Sequence, residues 1–288
     1  MTEHTQGRAV WVPTRDGRRL YSQVLDGPQD AAVTVVFEAG AAASRSPWSL
    51  VQTRVAQFAR AVVYDRAGLG KSPADPAGRT LNRMAQDLHD VLDHYGPGPF
   101  VLVGHSAGGP IVRLAASLRP DQVIGLVLLD PADEGVGALF SPAFRAAEQI
   151  SISITRVLAR TGRLQRSYGW LVEAMPAADV REDLQREGFT PAMVDTHAAQ
   201  ARTFLDELAA WVDDPPELGQ IPVSIISGRR TGDGMNARLR AAVNAAHAAR
   251  ASSSPGGRYV LALNSGHYVL TTDPDLVAQE IRRFVTAG

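Results

Sequence analysis

The chain has 288 residues, enough for one large or two small domains and for a core that buries about three quarters of its unfolded surface. A hydrophobic fraction of 45% and a charged fraction of 20% exclude wholesale disorder, and zero cysteines exclude disulfides, thiolate metal sites and a cysteine nucleophile. A net charge of −1 gives no overall attraction to nucleic acid or to an anionic membrane, so neither is expected as a partner.

The polar start, Met1 to Arg8, lacks the apolar stretch of a signal peptide. Apolar runs such as Val123–Leu129 fall short of the ~18 residues that span a bilayer. A cytoplasmic protein without a membrane span is therefore expected. Arg8–Pro13 and Arg19–Asp26 read as strands joined by the turn Thr14-Arg15-Asp16-Gly17, an antiparallel hairpin. Val33–Phe37 is a continuous apolar run, as in a strand covered on both faces. Ser46-Pro47 then reads as an N-cap with proline at the first helical position. Ala61–Tyr64 repeats the strand pattern, and Leu81, Met84, Leu88, Val91, Leu92 and Tyr95 form one helical stripe. Phe100–Val103 and Val123–Leu129 are the next strands.

From 132 to 218 the alternation stops, and only helical patterns remain. The clearest opens at Thr190-Pro191, carries Met193, Val194, His197, Ala201, Phe204, Leu205, Leu208 and Trp211 on one face, and stops at Asp213-Asp214-Pro215-Pro216. Strand patterns return at Val223–Ile226 and Tyr259–Leu263, and Asp273-Pro274 opens a last helix with Val277, Ile281, Phe284 and Val285 facing inward. The expected architecture is α/β: a mostly parallel sheet with helices on both faces. Residues 1–131 and 219–288 form its core domain, and residues 132–218 a helical lid inserted between two strands. Ligands in such sheets sit at the carboxyl ends of the strands, beneath that lid.

Gly104-His105-Ser106-Ala107-Gly108 follows the strand Phe100–Val103 and precedes a helical run, Gly109–Leu118. A strand–Gly-x-Ser-x-Gly–helix passage forms a sharp turn on which the serine hydroxyl stands clear of the sheet. The helix N-terminus beneath it favours developing negative charge. Gly68-Leu69-Gly70-Lys71-Ser72 lacks the leading glycine of a phosphate loop, and Pro73 stands where its helix would begin. Neither that stretch nor any His or carboxylate spacing implies a cofactor or a metal.

The chain resembles the α/β-hydrolase family, in its lid-bearing esterase, lipase and haloperoxidase-like branch. The resemblance runs from about Trp11 to Val285. It rests on Phe37-Glu38-Ala39-Gly40-Ala41, Tyr64-Asp65-Arg66-Ala67-Gly68-Leu69-Gly70-Lys71-Ser72, the elbow, and Ser265-Gly266-His267. It implies Ser106 as nucleophile and His267, after the last strand, as its base. The other histidines are weaker candidates: His4, His89, His94 and His247 read as solvated or structural, and His105 as pointing away from the serine. His197 reads as lining the lid core or a pocket.

Two carboxylates compete for the acid. Asp233 lies near the position the family commonly uses but two residues late, and Asp130 ends the strand Val123–Leu129. Asp130 is preferred, because a strand end positions a carboxylate better than a glycine-rich loop. The resemblance further implies an oxyanion hole from the N–H groups of Ala41 and Ala107, although Ala39-Gly40 replaces the common His-Gly pair. Asp65 and Arg66 are expected to pair and brace their neighbours. Trp48, Trp170, Met175, Met193 and Phe204 suggest a largely apolar pocket, with Trp48, Met193 and Phe204 as substrate contacts. The function implied is a serine hydrolase acting on a small carboxylic ester, lactone or thioester. The alternatives are a lyase or cofactor-free perhydrolase on the same scaffold, or a ligand-sensing receptor with slow turnover.

Overall fold

A computed structural model describes residues 3–287. Its strands are β1 (Arg8–Pro13), β2 (Arg19–Leu25), β3 (Thr34–Glu38), β4 (Arg60–Tyr64), β5 (Phe100–His105), β6 (Val123–Leu129), β7 (Val223–Gly228) and β8 (Arg258–Ala262). They form one sheet in the order β1-β2-β4-β3-β5-β6-β7-β8. The β1–β2 and β2–β4 pairs are antiparallel and the rest parallel. Alternate residues of each strand enter opposite layers: Val35 and Phe37 of β3 pack on one side, Val36 on the other. Both sides are covered, and β3 is accordingly apolar at consecutive positions.

Helices α1 (Ser49–Val55), α2 (Leu81–Tyr95) and α3 (Gly108–Leu118) connect the first strands. Between β6 and β7 lie α4 (Pro142–Arg160), α5 (Leu164–Ser167), α6 (Gly169–Glu173), α7 (Ala178–Glu187), α8 (Pro191–Gln200) and α9 (Phe204–Ala210). Then follow α10 (Ala237–Ser253), α11 (Val269–Thr272) and α12 (Pro274–Ala287). Leu88 of α2, Ile111 of α3 and Ala251 of α10 join one core layer; Val51 of α1 and Val277 and Ile281 of α12 join the other. No described helix is long and apolar enough to cross a membrane.

Two local expectations change. Ser46 is not an N-cap: a short 3₁₀ turn, Ser46–Trp48, precedes α1, and no side chain caps it. Tertiary bonding sets this entry instead, because the Arg45 N–H donates to Asp65 Oδ1 at 2.8 Å. The single helix expected from Thr190 to Trp211 is two, α8 and α9, broken at 201–203. Met193 and Val194 pack with Leu69 and Ile152, whereas Phe204, Leu205 and Leu208 join the core beside the sheet. One straight rod does not serve both clusters.

Buried ion pairs tie the insertion to the core. Arg45, fully buried, bonds Asp65 at 2.6 Å, Gln23 at 2.5 Å and Glu187 of α7 at 2.7 Å, and also Asp183 of α7. Lys71 lies 3.3 Å from both Asp183 and Glu187. The expected Asp65–Arg66 pair does not form. Asp65 serves Arg45, and Arg66 turns to Glu38 and to the carbonyls of Ala39 and Gly40. Neighbouring residues at a strand end diverge, so each finds a different loop.

Candidate active site

Ser106 occupies the turn between β5 and α3 with φ 53°, a left-handed conformation that costs a serine free energy and marks a position held by its surroundings. Three bonds hold it: its N–H donates to Leu129 O, and its carbonyl accepts from the N–H groups of Gly109 and Ala132, each at 3.0 Å. Gly108 is required by the close approach of β3, because a Cβ there would stand 2.5 Å from Glu38 O. At Gly40 a Cβ would stand 3.0 Å from the His105 ring and 3.2 Å from Ser106 Cβ. The two loops therefore meet at the serine.

His267 follows β8, and Asp130 follows β6. The Nδ1–H of His267 donates to Asp130 Oδ2 at 2.7 Å. The other oxygen, Oδ1, accepts from Arg240 of α10 at 2.5 Å and from the Gly228 N–H at 3.2 Å. Burial by itself raises the pKa of Asp130, but the hydrogen bonds and charges of His267 and Arg240 outweigh it and hold the carboxylate well below its ordinary range. Asp233 is exposed in its glycine-flanked turn and makes no bond to His267 among the described residues.

Ala41 and Ala107 flank the serine, and neither N–H has a backbone acceptor among the described residues. Arg66 accounts for the orientation at Ala41. It donates to the Gly40 carbonyl at 2.6 Å. The carbonyl and N–H of a trans peptide point in opposite directions, so this bond turns the Ala41 N–H away from Arg66. Glu38, buried, completes the brace by accepting from Arg66 and from the Tyr64 hydroxyl.

Two cavities meet at this point, and Ser106, His267, Ala41 and His197 line both. The first, about 220 Å³, is also lined by Asp130, Ala107, Leu139, Phe144 and Phe204. The second, about 250 Å³, is lined by Trp48, His105, Met193, Phe189 and Tyr268. Trp48, Met193 and Phe204 therefore all face the site. Met175 and Trp170 do not: Met175 is fully buried against Ser49, and Trp170 packs on Tyr268 at 4.9 Å with 42% of its surface exposed.

Two contributors escaped the sequence reading. His105, expected to point away, lines the second cavity, lies 4.7 Å from the His267 ring and bonds the His267 carbonyl through Nε2 at 3.0 Å. Burial, then the His267 charge, lowers its pKa to about 3, so it is a neutral buttress. Arg240 is one of three arginines in an alanine-rich helix, and nothing in that pattern signals its carboxylate partner. His247 is structural as expected, bonded to Ser227 Oγ at 2.6 Å and to the Pro131 carbonyl at 2.9 Å.

The profile described as "Alpha/beta hydrolase family" matches residues 35–280. The chain is 36% identical over 129 residues to the uncharacterized protein YqjL of Bacillus subtilis, a match covering 43% of this chain and half of that protein. An AB hydrolase superfamily protein of Gibberella zeae is 26% identical across 96% of this chain and 94% of its own length. Among solved structures, Est816, described as an N-acyl homoserine lactone degrading enzyme, superposes with a TM-score of 0.67. It is 22% identical, covering 96% of this chain and all of Est816.

Proposed function

Because the chain belongs to the alpha/beta hydrolase family, we propose that it is a serine hydrolase that cleaves a carboxylic ester, lactone or thioester through an acyl-enzyme. The observation that carries this reading is the 2.7 Å bond from His267 to a buried, ionised Asp130, beside a serine held at the elbow. A serine hydroxyl attacks a carbonyl poorly until an imidazole takes its proton. His267, with Nδ1 committed to Asp130, presents Nε2 as that base, and Asp130 stabilises the imidazolium that forms. The Ala41 and Ala107 N–H groups receive the oxyanion, held in place beforehand by Arg66 and by the start of α3. The alcohol or thiol leaves with the proton from His267. Water then attacks the acyl-enzyme by the same route and restores the serine.

The apolar walls around both cavities suit a small, uncharged acyl substrate with a portion on each side of the scissile bond. Trp48, Met193 and Phe204 are its proposed contacts, and residues 132–218 its lid. The test is covalent labelling by a fluorophosphonate together with turnover of a short p-nitrophenyl ester. Ser106→Ala should abolish labelling and lower turnover by at least about a thousandfold while keeping the fold. Undiminished labelling of that variant would place the nucleophile elsewhere. A single burst without turnover by the wild type would mark a receptor.

A further inference from the structure

Overall charge gives no attraction to an anionic membrane, but charge and apolar surface are unevenly placed along helix α4. One side of that helix looks inward. Phe144 and Glu148 line the first cavity, Ser151 and Thr155 the second, and Ile152 and Ala159 pack with Met193 and Val194 of α8. At about 3.6 residues per turn, Ala143, Ala146, Ala147, Ile150, Ile154 and Val157 fall on the opposite arc, and no polar residue interrupts it. All six are exposed, with Ile150, Ile154 and Val157 at 61%, 55% and 61%. Single apolar side chains are common on a surface, whereas a stripe about four turns long marks a face that meets something else. Glu148 is the only acid between residues 142 and 166, and it lines the first cavity. Five arginines share that stretch. Arg145 and Arg156 pair with Asp206 and Asp195. Arg160, Arg163 and Arg166 are exposed at and beyond the C-terminal end of the stripe, without an ion-pair partner among the described residues.

An apolar stripe with a cationic end selects its occupant. A second copy of the chain would bring like charge to like. Packed antiparallel, its α4 presents a positive N-terminus to these arginines; packed parallel, it presents their counterparts. Anionic lipid matches both features, because acyl chains receive the isoleucines and headgroup phosphates accept hydrogen bonds from the guanidinium groups. We propose that α4 docks the protein on the surface of an anionic lipid bilayer. The helix lies in the interface without crossing it, with Ile150, Ile154 and Val157 toward the acyl chains and Arg160, Arg163 and Arg166 at the phosphates. This inference goes beyond the hydrolase reading and stands apart from it, since no residue of the outward stripe lines either cavity.

Co-sedimentation of the full chain with vesicles tests it. Vesicles of phosphatidylglycerol and phosphatidylcholine in equal parts should carry the protein down. Vesicles of phosphatidylcholine alone should bind it at least about tenfold more weakly, since each arginine at an anionic surface contributes on the order of fivefold. Ile150→Gln/Ile154→Gln replaces two exposed side chains with a good helix former and should weaken binding to the anionic vesicles by at least about tenfold. Arg160→Gln/Arg163→Gln/Arg166→Gln should weaken it by a similar factor and abolish the preference for anionic over neutral vesicles. No sedimentation with anionic vesicles, equal wild-type binding to both kinds, or binding that survives either set of substitutions would overturn the inference. So would a dimer in sedimentation velocity that Ile150→Gln/Ile154→Gln dissociates, because the face would then belong to a second copy. The wild-type comparison of the two vesicles decides it alone if a variant does not fold.

Discussion

Asp130 and Asp233 are both aspartates in a left-handed conformation near His267, at φ 41° and 52°. Their surroundings separate them. Asp130 is buried and spends both oxygens on cationic or N–H donors, whereas Asp233 stands in water. Asp130→Asn should therefore lower kcat by at least about a thousandfold, since an amide cannot stabilise the imidazolium and can favour the wrong tautomer. Asp233→Asn should cost less than about threefold, as a substitution of one exposed carboxylate. Steady-state kinetics on folded variants would settle the ranking, and its reversal would give the role to the late loop. His105 supplies a pH signature. Its folded pKa of about 3 lies below the roughly 6.5 of an unfolded histidine. The unfolded chain thus binds the extra proton first, and the stability from neutral His105 is whole above pH ~6.5 and drains away as the pH falls toward 3. Urea unfolding of His105→Gln, which keeps a donor for the His267 carbonyl, should show a pH slope shallower by up to about 1.4 kcal/mol per unit. An unchanged slope would mean that His105 is already protonated in the fold.

Helix α7 is held to the core by buried charge as well as by the packing of Val180 and Leu184, and α8 by packing and by the bond from Thr196 Oγ1 to the Gly68 carbonyl at 2.9 Å. Arg45 faces three carboxylates without contact with water, and two of them, Asp183 and Glu187, belong to α7. Removing one member of such a network strands the others in a low-dielectric interior. Arg45→Met should cost about 3–5 kcal/mol in denaturant unfolding and should expose residues near α7 to limited proteolysis. A stability loss below about 1 kcal/mol would show that water or Lys71 replaces the guanidinium. The break between α8 and α9 sets the shape of the site at the same scale. It lets α8 direct Met193 to the second cavity while α9 directs Phe204 to the first.

Across the whole molecule, Ser106, the proposed nucleophile, stands at the junction of two chambers instead of the end of one. The sheet supplies Ser106, Asp130 and His267 from three different strand ends, and the insertion supplies much of both walls. Met193→Ala should therefore relax chain-length preference on one side of the scissile bond, and Phe204→Ala on the other. Each buried side chain also supports packing, so a stability loss of about 2–5 kcal/mol is expected. Matched series of straight-chain esters, varied first in the acyl and then in the alcohol portion, would read the two effects separately. Folded variants whose preferences move on the same side would show that one chamber receives both portions.

The amino-acid sequence determined what depends on neighbours in the chain. Alternating apolar runs specify eight strands and their order in the chain, and the hairpin follows from Thr14–Gly17. The elbow is legible because strand, Gly-x-Ser-x-Gly and helix are consecutive. Where Asp130 and His267 meet is another matter, since 137 residues separate them. Arg240 and Arg66 carry no local signal of their partners, because an arginine side chain reads the same whether it faces water or a buried carboxylate. Periodicity made α8 and α9 one helix, since apolar spacing records that a face is buried and not which cluster buries it.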